Sequence, residues 1–396
     1  MKLTGARVAR QGGETCRLDL SIRHDRLLPF DARVNDPCEP DLFEFDLSGH
    51  LILPGLINCH DHLEFNLFPR LGEGPHANYI DWADNVYRPL DSPLKEHLLV
   101  PKPIRLMWGG LKNLFSAVTT VCHHNPYEPS VFDAGFPVRV VRRFGWAHSL
   151  HFSQDVSIRF RATPGRWPFL LHAAEGTCRR AWSEIAHLEE IGVLSDHTVL
   201  IHGVALEDSA IEVLRRFRTS LIWCPSSNLF TLGRTLQDEV FRSGLNIGLG
   251  TDSALTGEGD LIDELRVAQS RGRFTEAELF DMVTGKAAQI LRLNCGEGEI
   301  REGGVADLVA VAEEHGTPSE ALQEIRPELV LLGGKIKLIS RRLADRLQGR
   351  RTTGLEPIYL EGRGEYLVDA GVRELHAATA QILGPDFRLA GRRVQV

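Results

Sequence analysis

The chain has 396 residues, 43% of them hydrophobic and 25% charged, which is typical of a globular protein with a large core. Its formal net charge of −8 at pH 7 argues against nucleic acid or an acidic membrane surface as a partner. No apolar run approaches the roughly 20 residues that span a bilayer, and the N-terminus lacks the apolar core of a secretory signal. We therefore expect a cytoplasmic protein.

The seven cysteines are dispersed, without any Cys-x-x-Cys spacing. This pattern favours free thiols in a reducing compartment and argues against a thiolate zinc site. Three of them lie in apolar strand contexts, where we expect a small buried hydrophobic side chain: Cys59, Cys122 and Cys224. The other four are Cys16, Cys38, Cys178 and Cys295.

Short β-like runs occur near both ends of the chain. The N-terminal runs are Leu3–Ala9, Arg17–Ile22 and Leu42–Leu47, and residues 303–312 and 326–340 carry similar patterns. Because a few short strands cannot bury a face alone, we expect the two terminal pieces to pair. The tail adds a helical pattern at Val372–Leu383 and a strand-like pattern at Phe387–Val396. It is interpreted either as an edge of this small domain or as a subunit contact.

The first long apolar run, residues 51–59, ends in His60-Asp61-His62. Its length and flanking Pro-Gly and charges predict a buried strand. Side chains two positions apart on a strand point to the same face, so His60 and His62 lie together and Asp61 faces the other way. Two imidazoles at a strand end can chelate a divalent metal ion.

Three later apolar runs also end in residues that bind metals or titrate. Residues 168–176 contain His172 and then Glu175, residues 198–203 end in His202, and residues 245–253 contain Asp252. One histidine at a strand end is usually structural, but this repeated pattern favours a metal site.

Between these runs, strands alternate with helical patterns, which predicts a parallel barrel with crossover helices. In such barrels the catalytic groups gather at the C-terminal ends of the strands. Five candidates lie there: His60, His62, His172, His202 and Asp252. The predicted strands are Thr119–His124, Val138–Arg142 and Ser220–Cys224, and the predicted helices are Leu106–Ser116, Leu206–Phe217 and Glu276–Leu293, the last opened by a capping box at Thr275 and Glu278.

The order of these motifs resembles that of the amidohydrolase superfamily, and within it the branch of aminohydrolases and chlorohydrolases that act on aminated heterocycles. The matching segments are Pro54–His62, His172–Glu175, Ile201–Gly203, Cys224–Leu229, Gly250–Ser253 and Gly303–Val309. The resemblance implies an α/β protein with a (β/α)8-type TIM barrel and a small β-sandwich built from both termini. The expected domains are residues 1–53 and 303–396 for the sandwich, with the terminal helix in the second piece, and residues 54–302 for the barrel.

One segment departs from this pattern. Residues 143–167 are too few for the strand and helices expected there, because a β/α unit in such barrels needs ~30 residues. We expect one truncated β/α unit. The family's fourth-strand segment, which often supplies a substrate-contacting histidine, is not recognisable. His148 or His151 could contribute instead if the segment turns toward the barrel mouth.

The resemblance implies that one divalent metal ion, zinc or else iron, is held by His60, His62, His172 and Asp252. No lysine ends a fourth strand as a bridging carbamate would require, so a single ion is expected. Such an ion activates water by lowering its pKa. Glu175 is the candidate proton shuttle. His202 would orient the attacking water or act as a further ligand, and Asp252 could also accept the water proton.

Substrate contacts are proposed for four residues. Trp82 lies in a segment, residues 79–89, where the family has a lid, and it could stack on a planar ring or pack within a helix. His123 and His124 end another strand, and one of them could reach the pocket. Asn228 follows Pro225-Ser-Ser and is interpreted as an architectural or substrate-edge residue.

The predicted function is metal-dependent hydrolysis of a carbon–nitrogen bond. The predicted reaction is the deamination of an aminated heterocycle of purine, pterin, pyrimidine or triazine type. The alternatives are hydrolysis of a cyclic amide or imide by the same site, and a non-catalytic binding protein that retains the metal. The expected partner is a small-molecule substrate, with homo-oligomer formation left open. A nucleic-acid-binding module is opposed by the charge balance and by the absence of a basic aromatic stripe.

Overall fold

The computed structural model describes residues 1–9, 14–30, 43–271, 274–313, 317–323, 325–347 and 352–396. The N-terminal part forms seven short strands: β1 (Lys2–Thr4), β2 (Arg7–Ala9), β3 (Thr15–Arg17), β4 (Leu20–Arg23), β5 (Arg26–Leu27), β6 (Glu44–Asp46) and β7 (His50–Pro54). The predicted runs therefore form strands, although the run at Leu42–Leu47 begins outside the described residues. Cys38 also lies outside them. Cys59, Cys122 and Cys224 are buried free thiols, as predicted.

Eight strands then build the barrel: β8 (Leu56–Asp61), β9 (Val118–His123), β10 (Arg139–Val140), β11 (Gly145–Ser149), β12 (Phe169–Ala173), β13 (Thr198–His202), β14 (Ser220–Trp223) and β15 (Ile247–Leu249). The helices of this part are α1 (Tyr79–Val86), α2 (Leu94–Leu99), α3 (Lys102–Phe115), α4 (Val156–Ala162), α5 (Arg179–Glu190), α6 (Asp208–Phe217), α7 (Pro225–Leu232), α8 (Asp238–Arg242), α9 (Leu261–Ser270), α10 (Glu276–Met282) and α11 (Gly285–Ile290). Within the described residues, no helix has the length and apolar character that crossing a membrane requires.

The barrel strands form two parallel sheets, β10-β9-β8 and β11-β12-β13-β14-β15. A parallel bridge between Asp61 and Asp252, and a hydrogen bond from Thr251 N to His60 O (2.9 Å), join the first strand to the last. On the other side, the His124 ring lies 3.2 Å from the Ala147 carbonyl oxygen in β11. This arrangement, with its helices, is the predicted TIM-type barrel.

Two barrel units lack their helix, one more than predicted; the first is the unit of β9, since residues 124–138 before β10 contain no helix. Only residues 141–144 separate β10 from β11, so no helix lies between them. The segment 143–167, too short for a complete family unit, supplies β11 and α4. The fourth barrel strand is therefore present as β11, and the helix that would precede it is missing.

The single helix predicted over Glu276–Leu293 is wrong, since the structure has α10 and α11 with a break at Val283 and Thr284. Two β-branched residues followed by Gly285 disfavour a continuous helix. The Thr284 hydroxyl donates to the Phe280 carbonyl at 2.6 Å, a local bond that competes with helix geometry. The predicted capping box is confirmed, because Thr275 and Glu278 each accept a hydrogen bond from the other's backbone N–H.

The C-terminal part comprises β16 (Leu308–Ala312), α12 (Pro318–Gln323), β17 (Leu329–Leu332), β18 (Lys335–Ser340), α13 (Arg341–Ala344), β19 (Glu356–Leu360), β20 (Gly364–Val368), α14 (Val372–Leu383), β21 (Arg388–Leu389) and β22 (Arg392–Gln395). A ten-stranded sheet of order β21-β22-β19-β20-β18-β17-β16-β7-β2-β3 unites both termini, and a four-stranded sheet has the order β5-β4-β1-β6. Leu3, Leu20, Leu308 and Leu331 belong to a shared core of these sheets. The expected sandwich of both termini is thus present, while its exact domain boundaries remain predictions.

The tail continues the large sheet through β19 to β22, so it is an edge of the small domain. It also contacts the barrel: the Trp108 indole N–H of α3 donates to the Thr379 hydroxyl of α14 at 2.8 Å. The Trp108 ring lies 5.2 Å from that of Phe387. The buried Arg363 guanidinium binds Asp260, which caps α9. These contacts fix the sandwich against the barrel.

Candidate metal and active site

The C-terminal ends of the barrel strands bring the five predicted residues together. His60 lies near the end of β8 and His62 follows that strand directly, His172 lies in β12, His202 ends β13, and Asp252 follows β15. All five are buried. His202 and Asp252 have positive φ values of 78° and 56°, a left-handed backbone that costs energy for such residues and is concentrated at functional sites.

The distances in this cluster fit a shared cation. His60 Nε2 lies 3.2 Å from His172 Nε2, and Asp252 Oδ1 lies 3.7 Å from Nε2 of both His60 and His62. Ligands about 2.0–2.1 Å from one tetrahedral zinc ion would be about 3.4 Å apart. The donor set of imidazole nitrogens and one carboxylate oxygen is also the set that zinc prefers.

Neighbouring groups orient two of these side chains. The other ring nitrogen of His172, Nδ1, lies 2.7 Å from the His148 carbonyl oxygen, which directs Nε2 into the cluster. Asp252 Oδ2 accepts from the hydroxyls of Ser227 (2.6 Å) and Thr256 (3.0 Å), which leaves Oδ1 toward the histidines. The carboxylate therefore has one anchored oxygen and one available oxygen.

Burial sets the charge of these groups. Desolvation, together with the neighbouring imidazoles, holds the pKa of His62 and of His172 well below the usual value, so both rings are neutral and can donate a lone pair. Desolvation alone would raise the pKa of Asp252, but its hydrogen bond to His60 and the charge interactions with His202 hold that pKa well below its usual range. An anionic carboxylate among neutral imidazoles is suited to a divalent cation.

Glu175 lies at the edge of this cluster, with Oε2 3.4 Å from His202 Nε2. Desolvation, and then the charges of Asp252 and Glu184, raise the pKa of Glu175 well above its usual value. The Asn228 side-chain amide lies 2.8 Å from His202 Nδ1, and desolvation lowers the pKa of His202 to about 3. Glu175, His202 and Asn228 form a chain in which a carboxyl group near the cluster can hold a proton.

His124 is placed with the metal-binding candidates and not with the substrate contacts. Nitrogen atoms of His60, His62, His124 and His172 lie within 4.8 Å of one another. His124 Nε2 is near the Ala147 carbonyl, and its Nδ1 has no hydrogen-bond partner among the described residues. The sequence put this residue at the right strand end but gave no signal for its distance from the other histidines.

A cavity of about 410 Å³ opens above the cluster. Trp82 lines it, with its indole N–H bound to the Leu71 carbonyl at 3.1 Å. His148 also lines it, whereas His151 does not belong to the described lining. The expected substrate contacts His123, His124 and Asn228 are buried outside that lining. The remaining walls are mainly aromatic and acidic, including Phe65, Tyr79, Tyr87, Phe152 and Glu64.

Sequence reasoning missed a polar network behind the site. Lys112 Nζ lies 2.9 Å from Asp61 Oδ2 and donates to Asn66 (2.9 Å) and to Thr251 (3.1 Å). Asn113 also donates to Asp61, at 2.9 Å. The only available signal was that Asp61 must face away from His60 and His62; its partner on α3 required the fold.

Known proteins of similar sequence point to the amidohydrolase family. The model of the amidohydrolase family matches residues 163–337. A 5-methylthioadenosine/S-adenosylhomocysteine deaminase of Thermococcus kodakarensis is 24% identical over 358 residues, covering 75% of this chain and 82% of that protein. The deaminase of the same name from Haloarcula marismortui is 25% identical over 379 residues, covering 78% and 86% of the two chains.

Solved structures share the fold. An adenosine deaminase of Xanthomonas campestris with bound zinc has a TM-score of 0.71 at 16% identity, covering 96% of this chain and 97% of that one. Atrazine chlorohydrolase TrzN of Arthrobacter aurescens, complexed with zinc, has a TM-score of 0.67 at 16% identity, covering 88% and 99%. The family-model match and the deaminase relatives confirm the predicted resemblance to the amidohydrolase superfamily and are consistent with its aminohydrolase branch, while the solved structures show the shared fold.

Proposed function

We propose that this chain is a metal-dependent hydrolase that deaminates an aminated heterocycle. One observation carries the proposal: a buried cluster of neutral imidazoles and one anionic carboxylate adjoins a carboxyl group of raised pKa, at the floor of an aromatic cavity. The named relatives act on purine-based compounds and the structural neighbours on adenosine or a triazine. These names support a heterocyclic substrate for this chain as well.

The ligands proposed for a single divalent ion, zinc or iron, are His60, His62, His172 and Asp252. Such an ion, when bound, acts as a Lewis acid and makes water nucleophilic near neutral pH. The spacing of His60, His172 and Asp252 fits this ion as described above. His124 is the reserve candidate, because it belongs to the same cluster and its Nδ1 has no hydrogen-bond partner among the described residues.

Glu175 is proposed to move the protons. A deamination by water needs a base that takes a proton from the water and an acid that protonates the departing nitrogen. Burial raises the pKa of Glu175, so its carboxyl group can hold the proton between these two steps. His202, whose Nδ1 contacts the Asn228 amide, is proposed to orient the water toward the ring carbon.

The aromatic walls are proposed to hold the planar ring. Trp82, Phe65 and Tyr87 line the same cavity, and flat aromatic surfaces bind planar rings by stacking. The indole N–H of Trp82 is occupied by the Leu71 carbonyl, so its contribution to the ligand is the ring face.

A screen of amino-heterocycles coupled to ammonia detection tests the proposal. Release of ammonia with the ring intact, judged by product mass, supports deamination. A ring-opened acid without free ammonia would indicate the second candidate, cyclic amide hydrolysis by the same site. Tight binding of heterocycles by the metal-loaded protein without turnover of any of them would indicate a binding protein.

A further inference from the structure

Glu264, on helix α9, is a buried carboxyl group that the proposed chemistry does not use. It is 0% exposed and is not among the described residues that line the cavity. Desolvation raises the pKa of Glu264 to about 8, although its hydrogen bonds with Ser226 lower it. A carboxyl group at this depth is costly unless its oxygens have partners, so these hydrogen bonds are what keeps it in place.

Both oxygens of Glu264 contact one residue, Ser226, in the first turn of α7. Ser226 N donates to Oε2 at 3.0 Å, and the Ser226 hydroxyl contacts Oε1. The same hydroxyl oxygen accepts from Glu258 N at 3.1 Å. The contact holds in both protonation states, because an ionised carboxylate accepts from the hydroxyl and a protonated carboxyl group donates to it. Glu264 therefore joins α9, the loop before α9 and the start of α7 at a single point.

The next two residues of α7 contact the proposed active site. The Ser227 hydroxyl donates to Asp252 Oδ2 at 2.6 Å, and the Asn228 side-chain amide lies 2.8 Å from His202 Nδ1. Because consecutive residues of one helical turn move together, a displacement of this turn reaches both contacts. Glu264 can thus act on a proposed metal ligand and on the water-orienting histidine without touching either of them.

Helix α9 is a fixed base for this contact. Its capping residue, Asp260, accepts from the buried Arg363 guanidinium of the small domain at 3.0 Å. The loop before α9 is also tightly packed: a Cβ atom at Gly257 would lie 2.6 Å from the Thr251 carbonyl oxygen and 3.7 Å from Ser226 Oγ. Neither α9 nor this loop has room to follow a movement of α7, so the contact with Ser226 sets where α7 begins.

We infer that Glu264 is a positioning residue, whose hydrogen bonds to Ser226 hold the first turn of α7 and thereby place Asp252 and His202 in the metal site. This inference rests on the proposed function and deepens it, since the metal ion and the site residues are those proposed above. Its consequence is that metal affinity depends on a carboxyl group outside the cavity.

The test measures how tightly the zinc-loaded protein retains its metal against a chromophoric chelator. Glu264→Met keeps the length of the side chain and removes both oxygens. We expect its zinc affinity to fall about 10- to 100-fold, the range for residues that orient metal ligands. Glu264→Gln can accept from Ser226 N and donate to Ser226 Oγ, as the protonated carboxyl group does. It should keep the parent affinity to within about threefold.

Ser226→Ala tests the same contact from its other side. It removes the hydroxyl and keeps the backbone N–H, so zinc affinity should fall about two- to tenfold, the effect of one hydrogen bond. This variant decides the matter if Glu264→Met does not fold. In the double variant, affinity should fall no further than in Glu264→Met alone, because groups that form one contact are not additive.

Asp307 provides the matched control for a purely structural role. It is another buried carboxyl group, which accepts from Gly333 N at 2.7 Å and pairs with Arg139. It lies at the opposite end of β8 from His60, where its carbonyl oxygen accepts from Gly55 N. Asp307→Leu should lower the free energy of unfolding in urea and leave zinc affinity unchanged. Equal losses of zinc affinity in Asp307→Leu and Glu264→Met would overturn the inference, because affinity would then follow stability.

Turnover gives a second readout. At saturating zinc, Glu264→Met should lower kcat about tenfold or more, because His202 loses its orientation. KM should stay nearly constant, because Glu264 is not among the described lining residues. A raised KM with an unchanged kcat would contradict the effect on His202.

The remaining outcomes separate this inference from the proposed function. Zinc affinity unchanged in both Glu264→Met and Ser226→Ala, or lost as fully in Glu264→Gln as in Glu264→Met, would overturn the inference alone. If the expected losses of affinity are found but the parent releases no ammonia from any amino-heterocycle, the proposed function fails and the inference stands. A parent that binds no zinc would contradict both.

Discussion

Lys112 and Asp61 form a buried ion pair, 2.9 Å apart, on the face of β8 opposite to His60 and His62. The side chains of the pair are only 3% and 0% exposed. Because Asp61 lies between the two histidines in sequence, this pair anchors the strand that presents both of them. The network extends to Thr251, next to Asp252, through its hydroxyl bond to Asp61 at 3.1 Å.

Breaking this pair should be strongly destabilising. Lys112→Met leaves the Asp61 carboxylate buried without its counter-ion, and such losses cost about 3–5 kcal/mol. The measurement is the free energy of unfolding in urea. The matched control is Lys102→Met, since the Lys102–Glu128 pair is about one third exposed and should cost no more than about 1 kcal/mol. Equal effects of the two substitutions would show that the buried pair has no special role.

Glu184 should make stability depend on pH. Its carboxylate accepts from Ala174 N at 2.6 Å, and desolvation raises its pKa to about 7. A raised pKa means that the folded state favours the protonated carboxyl group of Glu184. The resulting contribution to the free energy of unfolding is fully present below the unfolded pKa of about 4.5 and is lost as pH rises through about 7. Glu184→Gln keeps an acceptor and removes the charge.

We therefore expect Glu184→Gln to be more stable than the parent at pH 8 by about 1–3 kcal/mol, and to differ little at pH 4.5. Urea unfolding at both values checks this. A difference that is the same at both pH values would contradict the assigned pKa.

His148 should affect substrate and not metal. Its side chain lines the cavity, while its carbonyl, and not its ring, holds His172. Loss of one hydrogen bond to a ligand costs about 1 kcal/mol, so His148→Ala should lower kcat/KM about fivefold or more with unchanged metal content. The exposed His151→Ala is the control and should leave both unchanged. Loss of metal in His148→Ala would assign its ring to the metal cluster instead.

The sequence was sufficient wherever a local pattern reports a local geometry. The His60-x-His62 spacing predicted a shared face, and the strand ends predicted that His172, His202 and Asp252 would gather. The helix Val372–Leu383 has the predicted bounds because a strong periodic pattern ends at Gly384. The capping box at Thr275 is equally local.

Contacts between distant segments could not be predicted in this way. Nothing in the sequence connects Asp61 to Lys112, or His124 to His172, because their distance depends on how the barrel closes. The break after Met282 was missed because the apolar pattern continues through it, although Val283-Thr284-Gly285 was a visible local signal.

Glu175→Gln should separate metal binding from catalysis. The substitution keeps the size of the side chain and removes its ability to transfer a proton, and general acid–base catalysis contributes about 10²–10⁴ in rate. We expect kcat to fall by about 10²–10⁴ while metal content stays constant. The activity is measured with the best substrate of the ammonia screen. Glu189→Gln, a change on helix α5 away from the cavity, is the control. Retained turnover would remove Glu175 from the mechanism.

Elemental analysis of protein purified without chelators tests the central claim most directly, namely that His60, His62, His172 and Asp252 together hold one ion. The parent should contain about one equivalent of zinc or iron per chain. His60→Ala and Asp252→Ala should lose most of it while retaining a folded circular dichroism spectrum, and His124→Ala should lose less. A parent without metal, or metal content unchanged in both His60→Ala and Asp252→Ala, would contradict the account.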